Sequence, residues 1–170
     1  QPGVYELSGT MSVPEIVEVL TIGGKDEVTV TIPEGLTVKD IDRILAAADV
    51  IEKDALVNFS IQKLHSVYPF LVNVGSLEGF VFPDTYRFKI NSKPEVVLGR
   101  ILENFNEKAW SFLQGQKNWY EYLILASILE REVPDFNDRQ IVAGILLKRL
   151  KLGIPLQIDA TISYAKCDGE

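Results

Sequence analysis

This sequence predicts an α+β fold, with a small β-α-β piece at the N-terminus and then a mainly helical region with short strands. Residues 26–32, "DEVTVTI", alternate between apolar and polar side chains, which is typical of a strand. After Thr37, apolar residues recur at helical spacing through several long segments. The chain has 170 residues, 46% hydrophobic and 24% charged, so it can bury a core and is neither fibrous nor of low complexity.

The N-terminal piece contains three predicted elements. "VYEL" at 4–7 is a short strand candidate. Ser12 and Glu15 form a capping-box pair at the start of the helix "SVPEIVEVL", and the two glycines that follow end it. The alternating strand then stops before Pro33. We therefore expect the β-α-β piece to occupy residues 1–33.

The rest of the chain is predicted to be mainly helical. Thr37 caps the first helix of this region, and Gly153 suits the position just after the last one. Asn137 or Asp138 is expected to cap that last helix. The predicted helices cover 38–48, 52–67, 94–113, 120–132 and 139–152.

Two segments lack a helical pattern. "LEGFVFPDTYRF" at 77–88 is predicted to be a structured loop with short extended pieces, because Gly79 and Pro83 interrupt it. The segment 154–170 is predicted to be loop-like, with "PLQIDATISY" as an edge-strand candidate.

Composition excludes several classes of function. The 17 basic and 24 acidic residues give a net charge of −7 without a basic cluster, so nucleic acid is not an expected partner. Cys167 is the only cysteine and His65 the only histidine. The chain therefore lacks the residues for a disulfide framework, a zinc site of the usual ligands or a Cys–His nucleophilic pair. No metal and no cofactor are predicted. No stretch approaches the roughly 20 apolar residues of a membrane span.

Glu132 is the candidate for acid–base chemistry. At about 100° per residue it projects between the directions of Leu125 and Ile128, inside the apolar arc of its helix. A carboxyl group there would lose hydration, so its pKa would rise and suit a general acid. The alternative, which pattern alone favours, is a salt-bridged or frayed glutamate at a helix end. Glu130 points further round the helix.

Weaker polar signals lie in the two non-helical segments. Gln157, Asp159 and Thr161 alternate with apolar residues, as substrate-binding groups or a solvated edge strand would. Glu78 and Asp84 lie beside aromatic residues that could stack on a sugar ring, although packing is the better explanation for the two phenylalanines between them.

Three motifs in order and spacing resemble the MltG family, the YceG-like endolytic murein transglycosylases: "EGFVFPDTY", "LASILERE" and "RQIVAGILLKRLKLGIPLQIDATISY". The resemblance is specific over residues 78–164. "PEGLTVKDI" is similar to the junction between a LysM-like N-terminal region and the catalytic region of that family. It implies that 1–33 is the end of a LysM-like subdomain and that 34–170 is a YceG-like catalytic region whose C-terminal part is missing.

The resemblance implies cleavage of peptidoglycan glycan strands between N-acetylmuramic acid (MurNAc) and N-acetylglucosamine (GlcNAc), which leaves 1,6-anhydro-MurNAc ends. One glutamate acts first as acid and then as base, and the second Glu of the E-x-E motif carries this role. Glu78 and Ser127 are implied to bind substrate. For Glu78 a structural role as a cap or salt bridge within its loop is an equal alternative, and for Ser127 a plain surface position is the better interpretation. The implied residues are Glu132 for catalysis and Gln157, Asp159, Tyr164, Glu78 and Ser127 for substrate binding.

The resemblance also implies a setting for the parent protein. It would be a single-pass protein of the cytoplasmic membrane with its catalytic domain on the cell-wall side, held by an anchor absent from this chain and working beside cell-wall synthases. A non-catalytic peptidoglycan-binding or scaffold module is the alternative function. Aminodeoxychorismate lyase, a label sometimes given to the family, is not supported, because no Gly/Ser-rich phosphate cradle precedes a helix. The opening "QPGVYEL", without methionine or signal pattern, suggests a trimmed piece.

Overall fold

Helices dominate the structure, a computed structural model that describes residues 7–22 and 26–167, and the predicted α+β class is confirmed. The strands of its two-stranded antiparallel sheet are β1 (Glu27–Ile32) and β2 (Asp84–Lys89). Short 3-10 turns at Ile61–Leu64 and Pro69–Leu71 lie between them. The helices are α1 (Val13–Ile22), α2 (Val38–Ala47), α3 (Pro94–Phe105), α4 (Ser111–Leu113), α5 (Trp119–Glu132), α6 (Phe136–Lys151) and α7 (Asp159–Cys167).

The start of α1 follows the predicted capping pair. The Glu15 carboxylate accepts hydrogen bonds from the Ser12 backbone N–H at 2.6 Å and from its hydroxyl at 2.7 Å. Residues 4–6 of the predicted first strand lie outside the described residues. The LysM-like character of this region remains a prediction.

The sheet joins segments that are distant in sequence. β1 runs antiparallel to β2, with Glu27 opposite Lys89 and Ile32 opposite Asp84. The strand before residue 33 is therefore paired with a strand from the region after it. The predicted loop at 77–88 is correct only up to Pro83, because residues 84–88 form part of a regular strand.

The predicted helix at 52–67 is wrong. Turns replace it, with 3-10 geometry at Ile61–Leu64. Asp42 on α2 is only 1% exposed, and its carboxylate accepts the backbone N–H groups of Asp54 and Leu56, each at 2.7 Å. Asp54 also has a left-handed backbone, with φ of 62°. Because backbone N–H groups that bond to a side chain are lost to a helix, this anchoring favours a loop.

The ends of α6 differ in how well they were predicted. The cap is Asp135, whose side chain accepts the N–H groups of Asn137 at 2.8 Å and Asp138 at 3.2 Å, so neither predicted residue is the cap. Gly153 follows the helix with φ of 65°, the left-handed backbone expected at that position.

The predicted loop and edge strand after Gly153 are partly wrong, because α7 occupies Asp159–Cys167. The chain turns at Gln157, where φ is 56°. Arg149 holds this turn through the Leu156 carbonyl at 3.1 Å and the Gln157 side-chain oxygen at 2.8 Å. The polar residues that alternate in sequence therefore do not share one face of a strand.

Two groups of buried side chains build the interior of the described residues. The large core extends over residues 30–105 and centres on Phe70, Phe80 and Phe105, whose rings are in mutual contact. The small cluster consists of Leu125, Leu146 and Ile158. Helix α5 touches both groups and carries the face on which the candidate site lies.

Candidate functional site

A cleft of about 560 Å³ lies along α5. Its walls come from the turn between β1 and α2, the loop before β2, α5 itself and α7. Apolar side chains such as Phe82 and Leu123 form much of its surface. The polar groups that reach it include Glu78, Tyr120, Ser127, Glu130, Arg131, Thr161 and Tyr164.

Glu130 is the acidic residue of α5 that lines the cleft, and it is half-buried. Burial raises the pKa of its carboxyl group by penalising the charged form, and the nearby negative charge of Glu34 adds to this effect. A hydrogen bond from the Gly35 N–H to Oε2, at 3.3 Å, and the positive charge of Arg139 act in the opposite direction. The raised pKa keeps the group protonated to a higher pH than an ordinary glutamate.

Three of the predicted site residues line the cleft. Glu78 is half-buried, and its carboxylate accepts the N–H of Val38 at 2.9 Å, so it anchors the first turn of α2 to the loop before β2. The Ser127 hydroxyl donates to the Ile124 carbonyl at 2.8 Å within α5. Tyr164 on α7 is 47% exposed and faces the same space.

The other three predicted site residues do not line the cleft. Glu132 is exposed rather than sheltered in the apolar arc of its helix, so that expectation about its surroundings is wrong. It is the last residue of α5, and Val133 already has extended backbone, so its side chain lies at a helix end. Gln157 and Asp159 are exposed as well. Their proposed roles remain predictions.

Glu130 is the site residue that sequence reasoning passed over. Leu123, Ser127 and Glu130 follow one another at spacings of four and three residues, which places them on one face of a helix. That spacing was available in the sequence. The turn between β1 and α2, which covers this face, could not be identified from the sequence, because Gly35 in that turn lies 95 residues before Glu130.

Asp84 and the aromatic residues near it have structural contacts. Phe80 is fully buried, so packing is confirmed for it, whereas Phe82 lines the cleft. Asp84 accepts hydrogen bonds from Lys108 at 2.5 Å and Asn104 at 2.9 Å. The bonds from these two residues lower the pKa of Asp84 to about 2. This carboxylate ties β2 to α3 and to the π-helical segment Asn106–Trp110 that joins α3 to α4.

The described part of the chain has neither a cluster of metal-ligating side chains nor a membrane-spanning helix. Within residues 7–22 and 26–167, no three His, Cys, Asp or Glu side chains come together as a set that could hold a metal ion. Across those same ranges, no helix has both the length and the apolar character needed to cross a membrane.

The described residues therefore form an α+β fold in which a half-buried glutamate and several hydroxyl groups line one cleft. The sequence pattern of the YceG-like family matches residues 1–170. The chain belongs to the YceG-like family.

Relatives and a solved structure agree with this assignment. A protein of Streptococcus pneumoniae (serotype 2) named endolytic murein transglycosylase is 28% identical over 193 aligned residues, covering 96% of this chain and 35% of that protein. One of the same name from Bacillus subtilis is 27% identical, covering 97% of this chain and 51% of that protein. A crystal structure of a YceG-like protein from Listeria monocytogenes, at 23% identity, has a similar fold, with a TM-score of 0.70 over 98% of this chain and 61% of that one. The chain thus spans about a third to a half of these curated relatives.

Proposed function

We propose that this chain is part of a murein transglycosylase and that Glu130 is its general acid and base. The observation that carries the proposal is the half-buried Glu130 carboxyl group, which lines the cleft and has a raised pKa. The names of the relatives supply the substrate class, peptidoglycan. The proposed reaction cuts the glycan strand internally between MurNAc and GlcNAc and leaves 1,6-anhydro-MurNAc ends.

The chemistry needs one group that gives a proton and then takes one back. Protonated Glu130 donates to the glycosidic oxygen as the bond from C1 of MurNAc to that oxygen breaks. The C6 hydroxyl oxygen of the same sugar then bonds to C1, and its proton passes to the Glu130 carboxylate. The acid is restored and no water is consumed. A raised pKa supports the first step, because it keeps the group protonated to a higher pH than an ordinary glutamate.

Ordinary glycoside hydrolysis fits the cleft less well. It uses two carboxyl groups on either side of the bond that breaks, separated by about 5–9.5 Å. Glu78 is a second carboxylate in the cleft, but the Val38 N–H already occupies one of its oxygens at the start of α2. We assign Glu78 to holding the wall of the cleft, and we assign Ser127, Thr161 and Tyr164 to binding hydroxyl or acetamido groups of the sugar.

Glu132 is the other candidate for the acid. The resemblance of the E-x-E motif favours Glu132. Its exposed position at the end of α5 counts against it and favours Glu130 instead. Gln157 and Asp159 are likewise proposed as substrate-binding residues on the resemblance, outside the cleft as it stands. An anchor in the cytoplasmic membrane, a catalytic region on the cell-wall side and synthase partners are proposals for the parent protein on the same basis.

The test compares two matched substitutions on one helix, Glu130→Gln and Glu132→Gln, in the natural full-length protein. Purified glycan strands are the substrate, and 1,6-anhydro-MurNAc ends are counted by mass spectrometry. We expect Glu130→Gln to lower the rate by about 10²-fold to 10⁴-fold, the range for removal of a general acid, and Glu132→Gln to stay near wild type.

Each other outcome has a definite meaning. Loss in Glu132→Gln alone would transfer the role to that residue. Full activity in both variants would refute a single-glutamate mechanism on α5. Wild-type protein that binds glycan strands but forms no anhydro ends would favour the alternative, a binding or scaffold module of the cell-wall machinery.

A further inference from the structure

Tyr120 is an aromatic residue of the cleft that lies at the opposite end of α5 from Glu130 and Glu132. It is the second residue of the helix, its side chain lines the cleft, and it is 43% exposed. Its side chain is on the same face of α5 as Leu123 and Ser127, because the three residues are spaced by three and four positions. The cleft therefore has an aromatic ring at one end of its α5 wall and acidic residues near the other.

The packing of Tyr120 leaves one face of its ring for the cleft. On one side the ring is stacked on Phe80, with 12° between the ring planes and 6.4 Å between the centroids. Phe80 is 0% exposed and contacts Phe70 and Phe105 in the large core. Trp119 meets the Tyr120 ring edge-on, with 5.4 Å between centroids. Because the core holds the ring in place, a ligand that binds it loses little free energy in ordering it.

Phe82 adds a second aromatic surface on another wall of the cleft. It lies in the loop before β2 and is partly buried against the large core. The Lys108 ammonium is 5.5 Å from the centroid of the Phe82 ring, and Asp84 holds that ammonium at 2.5 Å. The cation occupies one side of the ring. Two aromatic side chains from different elements thus line the same cleft, each with one side packed against the protein.

A pyranose ring of a β-1,4-linked glycan is a ligand that fits such a surface. The hydroxyl and acetamido groups of GlcNAc are equatorial, so the two faces of the ring present C–H groups and are apolar. An aromatic ring that stacks on one of these faces removes both surfaces from water. The polar groups at the edge of the sugar stay available for hydrogen bonds. Aromatic rings in a cleft with hydroxyl groups are therefore suited to a sugar.

Tyr120 lies far from both glutamates that are candidates for the acid. Glu130 and Glu132 follow it on the same helix. At about 1.5 Å of rise per residue, they lie about 15 Å and about 18 Å from it along the helix axis, the length of about three sugars in an extended strand. This separation holds whichever of the two is the acid. A strand that runs along α5 would reach Tyr120 only with a sugar remote from the bond that breaks.

We propose that Tyr120, together with Phe82, forms a remote sugar-binding subsite that stacks on a GlcNAc or MurNAc ring about three sugars away from the bond that is cut. The subsite makes the protein favour long glycan strands over short ones. The proposal rests on the proposed function for the identity of the ligand, a glycan strand. Tyr120 binds substrate in it and takes no part in proton transfer.

Glycans of two lengths test the subsite in the natural full-length protein. A GlcNAc–MurNAc tetrasaccharide cut at its central bond has two sugars on each side and stops short of Tyr120, whereas an octasaccharide has four. We expect Tyr120→Ala to raise KM for the octasaccharide about 10-fold with kcat nearly unchanged, because the ring holds the strand equally before and during bond cleavage. The rate on the tetrasaccharide should stay at the wild-type value, which also shows that the variant is folded.

Matched variants separate the aromatic face from other effects. Tyr122 is 40% exposed on the same helix but does not line the cleft, so Tyr122→Ala should leave KM for both glycans unchanged. Tyr120→Phe keeps the ring and should behave like wild type on the octasaccharide. Tyr120→Leu fills the space against Phe80 without an aromatic face and should lose most of the preference for the longer glycan.

Binding without turnover distinguishes the subsite from the proposed function. Replacing both Glu130 and Glu132 by glutamine prevents proton transfer by either residue, and calorimetry then measures the Kd of the octasaccharide. In this background Tyr120→Ala should raise Kd about 10-fold, and Tyr122→Ala should not change it. A Kd and a length preference that Tyr120→Ala leaves unchanged would overturn the proposal. Tyr120-dependent binding to a protein whose wild type forms no anhydro ends would refute the proposed function instead and leave the subsite established.

Discussion

The large core and the small cluster differ in how completely they are covered. In the described residues, the large core contains side chains of β1, α2, the 3-10 turns, β2 and α3, many of them fully buried. The small cluster has three buried side chains, one each from α5, α6 and the residue just before α7. Helix α6 meanwhile exposes apolar residues, with Phe136 70%, Ile141 65% and Ile145 52% exposed. One part of the molecule is a packed interior and the other is a thin layer.

The cleft lies where these two parts meet. Its first wall, which includes Thr37 and Glu78, is attached to the large core. Its far wall includes Thr161 and Tyr164 of α7, which belong to the thin layer. Local stability follows the number of buried apolar contacts, so we expect the far wall to open more readily than the near one. The geometry of the site therefore depends on its less stable half.

The largest expected effect compares Leu71→Ala with Leu146→Ala. Both remove the same atoms, but Leu71 is 0% exposed in the large core and Leu146 is 5% exposed in the small cluster. Leucine-to-alanine changes in cores cost about 2–5 kcal/mol, more where the surroundings cannot collapse. We expect about 4 kcal/mol for Leu71→Ala and about 2 kcal/mol for Leu146→Ala in urea unfolding.

Hydrogen exchange distinguishes where each loss is felt. Leu71→Ala should lower the protection of α2, α3 and the sheet together. Leu146→Ala should lower the protection of α5, α6 and α7 and leave the sheet unchanged. Equal losses across the whole chain from both variants would mean that the two parts unfold as one unit.

The next effect tests the buried carboxylate that replaces a helix with a loop. Asp42→Ala leaves the buried N–H of Leu56 and the part-buried N–H of Asp54 without their acceptor, and a buried unpaired group costs about 1–3 kcal/mol. We expect a loss of about 3 kcal/mol for Asp42→Ala in urea unfolding. Asp42→Asn keeps one acceptor oxygen and should lose about half as much. A loss below about 1 kcal/mol for Asp42→Ala would show that water replaces the carboxylate and that the loop is not anchored by it.

Local patterns were enough to predict some elements. Thr37 with Asp40 at the start of α2, and apolar spacing along α3 and α5, are signals contained within one segment. The helix predicted at 52–67 is wrong because the Asp42 side chain, on the preceding helix, accepts backbone N–H groups of this segment that a helix would need. The partner of β1 could not be read because pairing with β2 spans more than 50 residues.

The candidate site shows the same limit. Helical spacing gives the direction of a side chain on α5, but the element that covers that direction decides its environment. The β1–α2 turn covers Glu130, whereas Glu132 stands where the helix ends. Helical spacing alone favoured Glu132 over Glu130, and the tertiary structure shows that it is Glu130 that lines the cleft.

The smallest expected effect compares two helix caps, one in each part. Thr37 accepts the Asp40 N–H at 3.2 Å in α2, and Asp135 accepts the Asn137 N–H at 2.8 Å in α6. Replacing either by alanine should cost about 1 kcal/mol locally, and the serine variants, which keep an acceptor, should cost less. We expect Thr37→Ala to lower the urea midpoint of the whole chain, because buried side chains of α2 form part of the large core. Asp135→Ala should instead speed hydrogen exchange in the first turns of α6 with the midpoint nearly unchanged. A midpoint lowered equally by both would contradict the division into two parts, since a thin layer that unfolds separately cannot pass its loss to the core.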